Sequence, residues 1–120
     1  MSNARKFHTG VALLAIFTSL VSVGEDIKSG EQQFIEDIES GLMMPPGSHN
    51  LKEYVRYYKF FGSKVNSKVQ AIYIFEDGVG GVKIVNKGGL PKVNDGGCDV
   101  VNLVLTRAGK VVSIQCNGKA

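Results

Sequence analysis

The chain reads as an α+β protein: one N-terminal amphipathic helix packed on a mostly antiparallel sheet of four or five strands, its last hairpin linked by a disulfide. Three observations predict this. Ile27, Phe34, Ile35, Ile38 and Leu42 recur at helical spacing. Beyond them, short apolar runs rich in Val, Ile and Tyr alternate with glycine-containing turns, the pattern of paired strands. The only two cysteines, Cys98 and Cys116, stand near the outer ends of the last two runs.

The first segment is expected to leave before folding. Arg5 and Lys6 precede an apolar core from Val11 to Val23, and Ser22-Val23-Gly24 offers the small residues that a signal peptidase reads. Cleavage after Gly24 divides the chain into a signal peptide, 1–24, and a single small α+β domain, 25–120. The apolar run is shorter than the roughly 20 residues needed to span a bilayer, and no cysteine near the cut offers a lipid anchor. The expected location is periplasmic or secreted.

The helix is predicted from about Ser29 to Ser40. Ser29 and Gln32 form a capping box, Gly41 fits a left-handed stop, and Glu31, Glu36, Asp37 and Glu39 fall on the solvated side. Pro45, Pro46 and Gly47 exclude helix from Leu42 to Asn50, so that segment is a loop. It holds His49, which reads as a solvated polar residue because no second ligand stands at metal spacing. Leu51 to Phe61 suits either a helix face or a strand. Its density of Tyr, Phe and Val favours strand.

Lys68 to Glu76 alternates cleanly, Asp77-Gly78 marks a turn, and Val79 to Asn86 forms a weaker strand. An irregular link then leads through Leu90-Pro91 to the Asn94–Gly97 turn. In the final hairpin, Val100 to Leu105 pairs with Val111 to Ile114 across Arg107-Ala108-Gly109, with Gly109 free to take positive φ. If Thr106 and Lys110 close the loop, Cys116 faces Val100 and lies diagonal to Cys98, within bridging reach. A slip of one residue is expected to separate the sulfurs. Closing a loop of this length contributes on the order of 3 kcal/mol in the chain-entropy model.

Composition narrows the function. Fourteen basic side chains face eleven acidic ones, and two of the basic ones, Arg5 and Lys6, belong to the leader, so the net charge of +3 falls to +1 on cleavage. That removes a general pull toward nucleic acid. Gly78-Val79-Gly80-Gly81 lacks the Gly-Lys-Ser/Thr ending of a phosphate loop, and Gly96-Gly97 reads as a turn. Two cysteines without a Cys-x-x-Cys spacing or a nearby histidine point to a structural disulfide in an oxidising compartment. Asp95 and Asp99 flank Cys98 as an Asx cap and a solvated side chain rather than an acid pair. No catalytic residue, metal ligand or cofactor is expected.

Tyr54, Arg56, Tyr57, Tyr58 and Lys59 form the candidate contact surface, since aromatics interleaved with bases can anchor a partner. The competing reading puts the alternating tyrosines in the core, with Arg56 or Lys59 outward.

Leu90-Pro91, Asp95-Gly96-Gly97-Cys98 with Val100-Val101-Asn102, and Cys116-Asn117-Gly118 together resemble the C-terminal signature of small exported bacterial proteins of unknown function. Arg56-Tyr57-Tyr58 after Tyr54 is similar to their aromatic run. The resemblance implies an exported bacterial domain with paired cysteines and carries no activity. The functional expectation is an exported noncatalytic binding or interaction module, its partner an envelope or extracellular protein, with no nucleic acid and no stable membrane span after cleavage. The oligomeric state and the ligand are open. The alternatives are a small inhibitor of an extracytoplasmic hydrolase, and a small hydrolase using His49 with Asp95 or a tyrosine.

Overall fold

A computed structural model describes residues 29–118 and shows an α+β fold: helix α1 (Gly30–Gly41), a 3₁₀ turn (Leu51–Glu53), and strands β1 (Tyr54–Phe60), β2 (Lys68–Phe75), β3 (Gly81–Ile84), β4 (Gly97–Thr106) and β5 (Val111–Asn117). The predicted leader lies outside the described residues. Starting at Gly30, the helix is not at the N-terminus of the chain. The chain divides into two compact units at the Glu36–Asp37 junction, inside α1.

The predicted capping box starts the helix. Gln32 N donates to Ser29 Oγ at 3.0 Å and Ser29 N to Gln32 Oε1 at 3.4 Å. The expected glycine stop is absent: Gly41 is the last helical residue and is not among the glycines with positive φ. Ser40 Oγ donates instead to the Asp37 carbonyl at 2.8 Å, and Pro45 and Pro46 prevent continuation. Glu39, predicted on the wet side, turns its side chain inward, where it is 7% exposed. It follows Ile35 by four residues and therefore shares its stripe rather than the opposite one.

The five strands form one mixed sheet in the order β3-β1-β2-β4-β5. Three pairings are antiparallel, but β3 runs parallel to β1, with Val55 opposite Gly81 and Tyr58 opposite Ile84. A simple meander would place β3 beside β2. That edge of β2 is taken by β4, whose long apolar run pairs from Ile74–Val100 to Lys68–Thr106. The chain therefore passes over the start of β1, and Gly80 makes the passage possible: a Cβ there would lie 2.4 Å from the Lys52 carbonyl oxygen.

Strand alternation sorts the side chains onto two faces. One face carries the main core: Tyr54 and Tyr58 from β1, Val69, Ala71 and Tyr73 from β2, and Val101, Leu103 and Leu105 from β4, all fully buried. On the other face Val55, Ile72 and Val100 are also buried, and the link that follows β3 comes down on Val100. Gly96 lets that link approach closely, since a Cβ would meet Val100 Cγ2 at 2.4 Å, and Asn117 Nδ2 donates to the Val93 carbonyl.

Leu51 to Phe61 resolves into both readings. Leu51–Glu53 forms a helical turn, braced by Asn50 N donating to Glu53 Oε1 at 3.1 Å, and the strand begins at Tyr54.

Candidate functional site

The final hairpin folds with a different register from the one its turn predicts. Thr106 N donates to the Lys110 carbonyl at 2.9 Å, as expected, and Gly109 has φ of 98°. Leu105 then pairs with Val111, but Val104 pairs with Ser113, so Val112 is a bulge and Cys116 faces Val101 rather than Val100. A second irregularity restores the bridge. Gly97 pairs with Asn117, leaving Cys98, Asp99 and Val100 as extra residues on β4, and this excursion carries Cys98 to Cys116. The disulfide forms at a Cα separation of 4.6 Å. The sulfurs thus meet despite the one-residue slip, because a bulge on each strand compensates.

This irregular corner holds the Leu42–Asn50 loop. The Tyr54 hydroxyl donates to the Cys98 carbonyl at 2.5 Å and accepts from His49 N at 3.0 Å. The His49 ring stacks on Phe75 with centroids 3.7 Å apart and planes 12° from parallel. Its Nε2 lies 2.7 Å from Asp99 Oδ1. Ser48 closes the Pro-Pro-Gly turn onto the Pro45 carbonyl through its N, at 3.2 Å, and its Oγ, at 2.6 Å. Cys98 Sγ packs 3.6 Å from the Pro46 carbonyl oxygen. Gly47, at φ 86°, takes a backbone conformation that other residues rarely adopt. Burial raises the Tyr54 hydroxyl above its ordinary pKa; the His49 N–H bond opposes the rise and the Asp99 charge adds to it. The hydroxyl therefore stays protonated and keeps its donor bond to Cys98.

Loop and corner together present a surface. Met43 is 85% exposed, and Pro46, Gly47 and Asn50 are also exposed. Below Met43 runs a groove of about 440 Å³ whose apolar wall is Ile38, Leu42, Val111 and Ile114.

The five residues of the candidate contact surface separate by strand alternation. Tyr54 and Tyr58 are fully buried and Arg56 is 4% exposed, so these three form no outer surface. Tyr57 and Lys59 are half-buried on the other face. Tyr54 and Tyr58 thus lie in the core, and of the two bases Lys59 stays on the accessible face while Arg56 points inward. Its Nε donates to Glu39 Oε2 at 2.9 Å and its NH1 to the Tyr54 carbonyl at 3.1 Å. Tyr58 OH donates to the same Glu39 oxygen at 2.9 Å and is hydrogen-bonded to Tyr73 OH. Burial drives both tyrosine hydroxyls far above their ordinary pKa, with the neighbouring Tyr73 and Glu39 adding to the rise at Tyr58. This network ties the last turn of α1 to the sheet.

His49 has an acidic partner, but it is Asp99, not Asp95. Among the described residues no serine or threonine hydroxyl is hydrogen-bonded to the pair: Ser48 Oγ donates to the Pro45 carbonyl, and both cysteines are in the disulfide. Among the described residues no three His, Cys, Asp or Glu side chains group as metal ligands.

The chain matches no family model, no curated protein and no solved structure. Its chemistry therefore rests on its own residues. The loop held by the disulfide corner is the feature that sequence reading missed, because His49 and Asp99 are 50 residues apart. The cluster Gly96-Gly97-Cys98 was the available signal, since two glycines before a bridged cysteine permit the excursion that moves Asp99.

Proposed function

We propose that the protein is an exported, noncatalytic binding module that presents the Leu42–Asn50 loop to an envelope or extracellular protein. The observation that carries this reading is the cross-bracing of an exposed loop. Ring stacking, the Tyr54 bridge and the disulfide corner hold Pro45 to His49 before any partner arrives, while Met43 stands clear of the body. A loop already in one conformation loses little entropy on association, so its contact energy appears as affinity. The disulfide favours an oxidising extracytoplasmic location, in keeping with the leader read from the sequence.

The same bracing favours a second reading, inhibition of an extracytoplasmic hydrolase, because a rigid loop can occupy an active-site cleft without being reshaped by it. The exposed His49–Asp99 pair gives less support to hydrolysis, since among the described residues no serine or threonine hydroxyl is hydrogen-bonded to it and no thiol is free.

The test is capture from the native extracytoplasmic fraction with the parent protein and with Met43→Asp, which alters the loop tip and no bracing contact. A stoichiometric companion retained by the parent and lost by the variant is expected. Assay of that companion for hydrolytic activity with and without the module then separates inhibition from plain binding. A companion held equally by both proteins, or none across repeated preparations, contradicts the proposal.

A further inference from the structure

A second surface lies at the other end of the β1–β2 hairpin. Strand β1 runs from the Tyr54–Phe75 pair beside the braced loop to the Phe60–Val69 pair, about 20 Å away at strand spacing. From Tyr54 to Phe75 the sequence contains no acidic residue, but it contains Arg56, Lys59, Lys64 and Lys68. Arg56 is neutralised inside by Glu39. Lys59 and Lys68 are not: among the described residues neither pairs with a carboxylate, and the same holds for Lys92.

These lysines gather round an exposed ring. Lys68 Nζ lies 4.5 Å and Lys59 Nζ 5.7 Å from the centroid of Phe61, which is 49% exposed. The ring steers the two ammonium groups without cancelling their charge. Lys59, Phe61 and Gln70 line one side of a cleft of about 270 Å³, and Leu90, Pro91 and Lys92 line the other. Beyond the cleft Val65 is 74% exposed on a loop that is itself held: Arg107 N donates to the Ser67 carbonyl at 2.8 Å and Ala108 N to the Val65 carbonyl at 2.9 Å. The nearest strand neighbour continues the pattern, with Lys83 Nζ 5.7 Å from the Tyr57 ring on the same face. Tyr57 and Lys59, the two members of the candidate surface that stay accessible, thus belong here.

We propose that this end of the sheet is a docking face for an anionic membrane surface, with Lys59, Lys68 and Lys92 against lipid phosphates and Phe61 and Val65 entering the headgroup layer. Charge complementarity selects an anion. The two apolar side chains, exposed on anchored backbone, select a lipid interface over a soluble polyanion, which gives them nothing to enter. This adsorption is peripheral, and no described helix is long and apolar enough to cross a membrane.

Flotation of the full chain with vesicles of phosphatidylcholine, alone or mixed with phosphatidylglycerol, tests it. Binding is expected only to the mixed vesicles and should weaken as salt rises. Removing three charges in Lys59→Gln/Lys68→Gln/Lys92→Gln should lower partitioning about 100-fold, near fivefold per lysine. Phe61→Ser/Val65→Ser should weaken binding while leaving its dependence on lipid charge. Both variants share the parent's N-terminal segment, so its contribution cancels in each ratio. Met43→Asp should bind vesicles as the parent does, which separates this face from the partner loop. Equal partitioning to both vesicle types, or unchanged binding in both variants with circular dichroism intact, overturns the proposal. So does lysine-dependent binding of dextran sulfate that Phe61→Ser/Val65→Ser leaves untouched while vesicles fail to bind.

Discussion

Glu39→Ala isolates the energetics of the buried pair that joins the last turn of α1 to the sheet. The Arg56 and Glu39 side chains are 5% and 7% exposed, and Arg56 Nε meets Glu39 Oε2 at 2.9 Å. Removing the carboxylate leaves the guanidinium, among the described residues, with only carbonyl partners, at Tyr54 and, at 3.5 Å, Leu51, and it also takes an acceptor from Tyr58. An uncompensated buried charge of this kind costs about 3–5 kcal/mol. That is a large fraction of the stability of a small domain. Replacing both partners, as in Glu39→Leu/Arg56→Met, removes the charge together with its desolvation and is expected to be neutral or up to about 4 kcal/mol more stable. The assay is urea unfolding with the disulfide intact, comparing the parent, both single variants and the double variant. The expected result is a double variant far more stable than the sum of the single effects allows. Single variants that lose less than about 1 kcal/mol, the range of exposed ion pairs, refute the reasoning.

Two further outcomes follow from the geometry. Gly80→Ala places a Cβ against the Lys52 carbonyl, a backbone atom that cannot swing aside, and should cost about 1–3 kcal/mol in urea unfolding; unchanged stability contradicts the passage of the chain over β1. Tyr58 and Tyr73 hold their protons in the folded state beyond the pH at which unfolded tyrosines lose them, so folding stability is intact below about pH 10 and declines above it. Each tyrosine contributes a slope of about 1.4 kcal/mol per pH unit there, and Tyr58→Phe should remove one such contribution from urea midpoints measured across that range. A parent whose stability is flat through this range contradicts the buried hydroxyl pair.

What was legible in the sequence was local. The helix start shows in Ser29 and Gln32 because a capping box joins residues three apart. Strand β2 shows in its alternation, and Gly109 marks the turn between β4 and β5 because that turn requires positive φ. The misread features depend on partners distant along the chain. Glu39 sits in a sequence that looks solvated, and only Arg56, 17 residues on, makes its burial tolerable. The parallel placement of β3 depends on which strand captures the free edge of β2, a competition won by β4, which follows β3 in the chain. The bulge at Val112 carries no composition signal, and the glycines before Cys98 permit an excursion without fixing its size, yet both irregularities decide where Asp99 stands and so whether His49 has a partner.

The central claim, that the Pro45–His49 loop is held in one conformation by the disulfide corner before any partner binds, is tested most directly by amide hydrogen exchange at His49 in the free protein. Its N–H donates to Tyr54 OH, which in turn donates to the Cys98 carbonyl. Strong protection of that amide in the parent, lost in Tyr54→Phe while the β2 and β4 amides keep theirs, is the predicted result. A His49 amide that exchanges at the rate of an open chain in the parent contradicts the account.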